Sequence, residues 1–175
     1  AFGLMPVLVL ERKDDRGKEM QAVELIHHTD PRLRAKNEPV LFDKHGVEGR
    51  AIEMLSVMRG LYGVGLAAPQ VGWNVRLFVA YVGGQDRVFL NPKVALVEDL
   101  LGRPTIEEGC LSFPRLAVQV YRAGKVIVTA SHLDSQLEVT EEFKGFDARI
   151  IQHEFDHLRG ILITDHVPQK YRQGL

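Results

Sequence analysis

Near its end the chain reads His153-Glu154-Phe155-Asp156-His157. Two histidines at i and i+4 project from one face of a helix. Both imidazoles then reach a single metal ion, and the glutamate after the first histidine faces the water beside that ion. Chance can produce the pattern in a chain with seven histidines. Ile150, Ile151 and Leu158 flank it, however, so the segment reads as half-buried rather than as a solvated charged face. A hydrolytic site of this kind needs three protein ligands and an open position. A third histidine at the spacing H-E-x-x-H-x-x-G-x-x-H would fall at position 163, where the residue is Ile163. No glutamate follows Glu154, and Asp165, the one acidic residue after His157, is a weak candidate. The search therefore moves upstream to the sole thiol, Cys110, in Glu107-Glu108-Gly109-Cys110-Leu111-Ser112. Gly109 permits close backbone approach there. A lone cysteine by itself reads as a small buried apolar residue. Beside an incomplete His-Glu-x-x-His site, the ligand reading is preferred.

These residues need elements to carry them. A helix is expected over Phe146–Arg159, stopped by Gly160. An earlier helix is expected over Glu48–Tyr62, with Ala51, Ile52, Met54, Leu55, Met58 and Leu61 on one buried face. Gly63 and Gly65 end it and Pro69 marks a loop. Strands are expected at Val75–Val82, Arg87–Asn91, Val94–Val97, Leu116–Tyr121, Lys125–Ser131 and Leu137–Phe143. Asn91-Pro92 divides the second from the third, and Leu133-Asp134-Ser135-Gln136 forms a hairpin turn. His28–Arg34 reads as a turn entering a short ordered segment. The fold class is α+β: mainly antiparallel sheets packed around a C-terminal metal-binding helix, with an N-terminal helix.

The chain has 175 residues, which suits one domain over 1–175. Lys+Arg is 22 against Asp+Glu 23, for a net charge of -1. That balance argues against a nucleic-acid surface and against a polybasic membrane anchor. A single cysteine excludes an intrachain disulfide and points to a reducing compartment. No apolar run reaches the ~20 residues of a membrane span, and Leu4–Leu10, interrupted by Pro6, is too short for a complete signal peptide.

Three segments in this order resemble the peptide deformylase family: Gly63-Val64-Gly65-Leu66-Ala67-Ala68-Pro69-Gln70, Glu108-Gly109-Cys110-Leu111-Ser112 and Gln152-His153-Glu154-Phe155-Asp156-His157. The similarity runs over roughly residues 28–165 and includes Asp30–Arg34 and Leu90-Asn91-Pro92. The resemblance implies removal of the N-formyl group from the formyl-methionine of new polypeptides, releasing formate. It implies a metal held by Cys110, His153 and His157, usually Fe2+, with Zn2+, Ni2+ or Co2+ as substitutes. Glu154 would be the acid/base. Gln70 and the backbone N–H of Leu111 would meet the developing oxyanion. Gly65 and Gly109 would contact the substrate backbone. Val64, Phe146, Arg149 through its aliphatic stem, and Ile150 would line the methionine pocket beside His153, with the Arg149 guanidinium reaching the rim to meet substrate. For Ile150, simple core packing is nearly as good a reading. Glu108, paired with Arg122, would stand behind the metal ligands and hold the Cys110 loop. Formyl-methionyl nascent chains would be the partner, with transient ribosome proximity and neither nucleic acid nor membrane bound. The compartment would be the cytoplasm in a bacterium, or the mitochondrial or plastid matrix in a eukaryote.

The chain departs from the family pattern at Phe113, where a smaller β-branched residue is commoner, and at Ala117, in place of a basic residue that Arg115 could replace. Ala1–Glu24 extends ahead of the usual start with no assigned role. Residues 158–175, interrupted by Pro168, offer no long helix for ribosome docking. His27, His28, His45, His132 and His166 read as surface or loop residues. A zinc endopeptidase would need a third ligand other than Cys110. A non-catalytic metal-binding module would need neither Gln70 nor Glu154.

Overall fold

The computed structural model describes residues 23–42, 46–97 and 105–172, together with the backbone of two short strands ahead of them, β1 (Arg12–Lys13) and β2 (Glu19–Met20), paired antiparallel. Leu4–Leu10, His45 and most of the Ala1–Glu24 extension lie outside the described residues. A 3-10 turn at Pro31–Arg34 is capped by Asp30, whose side chain accepts from the Arg32 N–H. Helix α1 (Val47–Gly60) follows, then β3 (Gly65–Ala67), a 3-10 turn (Ala68–Val71), β4 (Leu77–Val82) and β5 (Gln85–Val97). Next come β6 (Ile106–Cys110), β7 (Phe113–Val120), β8 (Lys125–Ser131), β9 (Glu138–Lys144) and helix α2 (Gly145–Leu158). Short 3-10 turns at Ile163–His166 and Gln169–Tyr171 close the described chain.

The main sheet is antiparallel in the order β3-β4-β5-β8-β9, and β6-β7 form a separate two-stranded ribbon. Side chains alternate along β4. Phe78, Ala80 and Val82 meet Ala148, Ile150, Ile151 and Leu158 of α2, while Leu77 and Val79 meet Met54, Val57 and Met58 of α1. The two helices thus cover opposite faces of β4, which explains its nearly unbroken apolar run. A third cluster joins Leu33, Phe113, Val118, Val120, Leu162 and Ile163, anchoring the ribbon to the turns after α2. Among the described residues no helix is long and apolar enough to cross a membrane.

Several expectations need correction. Ile52 is 51% exposed, because the buried stripe of α1 runs through Val47, Ala51, Met54, Val57 and Met58. Asn91-Pro92 does not divide two strands. It sits in a bulge of one continuous β5, where pairing moves from Leu90–Ser131 to Lys93–Thr129. Asn91 takes a left-handed φ of 49°, and Pro92, which has no N–H to give, falls at the bulge. The expected loop at Gly63–Pro69 contains edge strand β3. The Glu107–Cys110 segment is itself a strand, β6, although it carries little apolar alternation.

Candidate metal centre and active site

Three elements converge on one point. The β6-β7 turn brings Cys110, α2 brings His153 and His157 from successive turns, and the strand-to-turn junction after β3 brings Gln70. Ligand atoms of Cys110, His153 and His157 lie within 4.8 Å of one another. Cys110 Sγ is 3.3 Å from His157 Nε2. Burial and the neighbouring His153 push His157 well below its ordinary value, leaving a neutral imidazole with a lone pair to give. Burial opposes a charged His153, but hydrogen bonds with Cys110 and Glu108 outweigh it and push it up to about 10. The field that would hold a proton there suits a cation equally. One thiol and two imidazoles form a donor set for a borderline-soft divalent ion, and three ligands leave a position open. The residues fit such an ion.

Glu154 is buried beside this cluster, and its Oε2 has no protein partner. Burial raises its carboxyl to about 7, partly opposed by His153 and Arg122. A buried carboxyl with an unused oxygen and a midrange pKa is suited to moving a proton. It packs against the backbone of Gly65, where a Cβ would lie 2.2 Å from Glu154 Oε1. Gly63 has a similar reason: a Cβ there would come within 2.9 Å of Leu111 Cδ1. These glycines serve close approach. The left-handed residue that ends α1 is Tyr62, with φ 56°.

Gln70 is fixed end to end. Its Oε1 accepts from the Ala67 N–H at 2.9 Å, so its Nε2 must face the cluster. That Nε2 lies 3.2 Å from Ser112 Oγ and 3.5 Å from Cys110 Sγ. Behind the histidines is a buried ionic network. Glu108 Oε2 accepts from His153 Nδ1 at 3.2 Å and from Arg122 Nη2 at 2.9 Å. Glu108 Oε1 accepts from Arg122 Nε at 3.1 Å and Arg149 Nη1 at 2.6 Å. Burial works against the charge on Glu108, yet His153 and Arg122 hold its carboxyl down at about 2. Arg122 also donates to Asp156.

A cavity of about 970 Å³ opens onto the cluster. Val64, Gly65, Gln70, Glu108, Gly109, Cys110, Leu111, Phe146, Arg149, Ile150, His153 and Glu154 all line it, whereas His157 and Arg122 stand behind. Phe146 is 63% exposed and stands at the mouth rather than in a sealed wall. The expected reach of Arg149 to the rim is not seen: its guanidinium turns inward, donating to Glu108 and to the Val120 carbonyl at 3.0 Å. Phe113 is buried and stacks on His28 at 4.6 Å between ring centres. Asp165 is not near the ligands in role, since it accepts from Arg34 at 2.6 Å. Sequence reasoning missed Asp156 and His166. Asp156 is buried and accepts from Arg122, from Arg159 and, at 2.8 Å, from His166 Nε2. Its position inside the histidine motif was the only signal, and two of its partners, Arg122 and His166, come from outside α2.

The chain matches the family model described as polypeptide deformylase over residues 22–173. It is 40% identical over 138 residues to a peptide deformylase of Thermotoga neapolitana, covering 79% of this chain and 82% of that protein. It is 35% identical over 182 residues to the chloroplastic/mitochondrial peptide deformylase 1B of Arabidopsis thaliana, covering 95% of this chain and 65% of that protein. The crystal structure of the Thermotoga maritima peptide deformylase superposes with a TM-score of 0.78 at 37% identity, covering 85% of this chain and 99% of that one.

Proposed function

The chain belongs to the polypeptide deformylase family, and from that membership we propose how its own residues carry the reaction. It is a hydrolase that removes the N-formyl group from nascent peptides beginning with formyl-methionine, and its site is metal-dependent. Water adds to the formyl carbon, the C–N bond breaks, and formate and a free α-amine leave.

Cys110, His153 and His157 are proposed to hold the ion. Ferrous iron is proposed as the native metal, with Zn2+, Ni2+ or Co2+ as substitutes, since a thiolate with two imidazoles accepts any of them. When bound, the ion supplies Lewis acidity, which polarises the formyl oxygen and makes water more acidic. Glu154 takes a proton from the attacking water and returns it to the departing amine. A carboxyl poised at about 7 can do both near neutral pH. The Gln70 amide and the Leu111 N–H donate to the oxygen on which charge develops, and the Ala67 clamp on Gln70 sets the donor in advance. Gly65 and Gly109 meet the substrate backbone. The methionine side chain enters between Val64, Ile150, Phe146 and the stem of Arg149, and its flexible thioether suits an irregular apolar wall. Glu108 and Arg122 hold the ligands from behind.

We read residues 1–175 as one catalytic domain, supported by a family match that begins at 22 and ends at 173. Its working compartment is proposed to be wherever formylated chains are made: the bacterial cytoplasm, or a mitochondrial or plastid matrix. Proximity to the ribosome would be transient. The near-zero charge supports a peptide substrate rather than nucleic acid.

The observation that carries the residue roles is the meeting of Cys110, His153 and His157 with Glu154 and Gln70 along one cavity. Formate release from formyl-Met-Ala by metal-loaded protein tests it. Glu154→Ala is expected to lose about 10²–10⁴ in kcat while still binding metal. Release that survives that substitution unchanged would overturn the mechanism.

A further inference from the structure

We propose that Arg149 is a positioning residue for the metal ligand His153, acting through Glu108. The inference rests on the metal-site reading above and extends it to a residue whose guanidinium touches neither ligand nor substrate.

The carboxylate of Glu108 has three hydrogen-bonding neighbours, two guanidinium groups and the His153 imidazole. Arg122 grips it with two donors, Nε on Oε1 at 3.1 Å and Nη2 on Oε2 at 2.9 Å. That grip sets the plane of the carboxylate but is shared, because Arg122 also donates to Asp156. Arg149 Nη1 then takes Oε1 at 2.6 Å, leaving Oε2 to accept from His153 Nδ1 at 3.2 Å. The same Nη1 donates to the Val120 carbonyl at 3.0 Å, which ties it to the β7 backbone. Arg149 and His153 are one helical turn apart on α2, so one carboxylate from β6 meets both on the same helix face. An imidazole that donates from Nδ1 to a fixed carboxylate is held in one tautomer and orientation, with Nε2 free for the metal.

Burial makes this arrangement consequential. Arg149, Arg122 and Glu108 are each under 10% exposed. Without Arg149, Glu108 keeps a full charge but loses a charge-assisted partner on Oε1, and the carboxylate is free to turn toward Arg122 and away from His153. The flank of Arg149 also lines the substrate cavity. The wall that receives the methionine and the support behind His153 are therefore the same side chain.

The test uses Co2+ as probe, with the protein stripped and reloaded. Affinity is read by chelator competition and geometry by the visible cobalt spectrum. Arg149→Met is expected to weaken Co2+ about 10–100-fold, to shift the spectrum and to lower kcat similarly, with KM for formyl-Met-Ala changed less than about threefold. Arg149→Lys is expected to restore most of the affinity. Combined with Glu108→Gln, Arg149→Met should add almost nothing, because both act through one carboxylate. Should Arg149→Met not fold, Arg149→Gln carries the test, with an intermediate loss expected. Wild-type affinity and spectrum in whichever variant folds, with KM alone raised or stability alone lowered, would overturn the proposal. So would simple additivity with Glu108→Gln. A wild-type protein that takes up no Co2+ would overturn the metal-site reading itself.

Discussion

Glu154 owes its position to what Gly65 lacks. A Cβ at Gly65 would overlap Glu154 Oε1 at 2.2 Å, and its Cδ and Cγ lie at 2.7 and 2.8 Å. Gly65→Ala should therefore leave the fold intact and lower kcat by at least about 10²-fold, because the carboxylate proposed as acid/base is displaced. Circular dichroism and formate-release kinetics on the same sample would check both halves. Tyr62 gives the opposite case. It holds φ 56° with its side chain 97% exposed, so it bears left-handed strain without burying its ring. Tyr62→Gly is expected to raise stability by about 0.5–1 kcal/mol in urea unfolding, strain relief exceeding the entropy cost of glycine.

The end of α2 is set by contacts from the far end of the chain. Gly160 takes φ 71°, and its N–H and that of Ile161 close the last turn on His157 and Asp156. Arg34 donates to the Gly160 carbonyl at 2.8 Å and to Asp165 at 2.6 and 3.0 Å. Burial works against a charged Asp165, but Arg34 and the Leu162 N–H prevail and hold its carboxyl below the ordinary value. A lowered pKa means stability present above the unfolded value, about 4, and lost as pH falls through the folded one. Arg34→Ala should cost about 1 kcal/mol at neutral pH, discounted for the half-exposed guanidinium. The gap between variant and wild type should narrow below pH 4, where the bond to the Gly160 carbonyl is what remains, as followed by urea unfolding across pH.

At the scale of the molecule, the proposed ion ties the β6-β7 ribbon, through Cys110, to α2, through His153 and His157. Its removal should loosen that join. With metal at about 100 times its Kd, binding adds about 2.7 kcal/mol. For a chain of this size, that corresponds to a Tm lower by about 5–10 °C after chelation. Calorimetry with and without chelator would measure it, and an unchanged Tm would count against a metal spanning the two parts.

Much of the site was legible because its signals are local. The i, i+4 histidines fix their own relative placement once the helix forms, and α2 runs Gly145–Leu158 against an expected Phe146–Arg159. Cys110 could be reached by elimination, since only one thiol exists. Strands with clear alternation, such as Lys125–Ser131, were equally plain. Other features carry no local mark. β3 and β6 are strands because neighbours complete their ladders, not because of their composition. Arg149 reads as a pocket residue until β6 brings Glu108 within 2.6 Å of it, 41 positions away. Asp156 gains Arg122 and His166 the same way. The donor residue types and the helix that presents two of them follow from short-range pattern alone. Which buried charges face one another depends on long-range packing, because a carboxylate in low dielectric takes whatever partners the packed elements bring within hydrogen-bond reach.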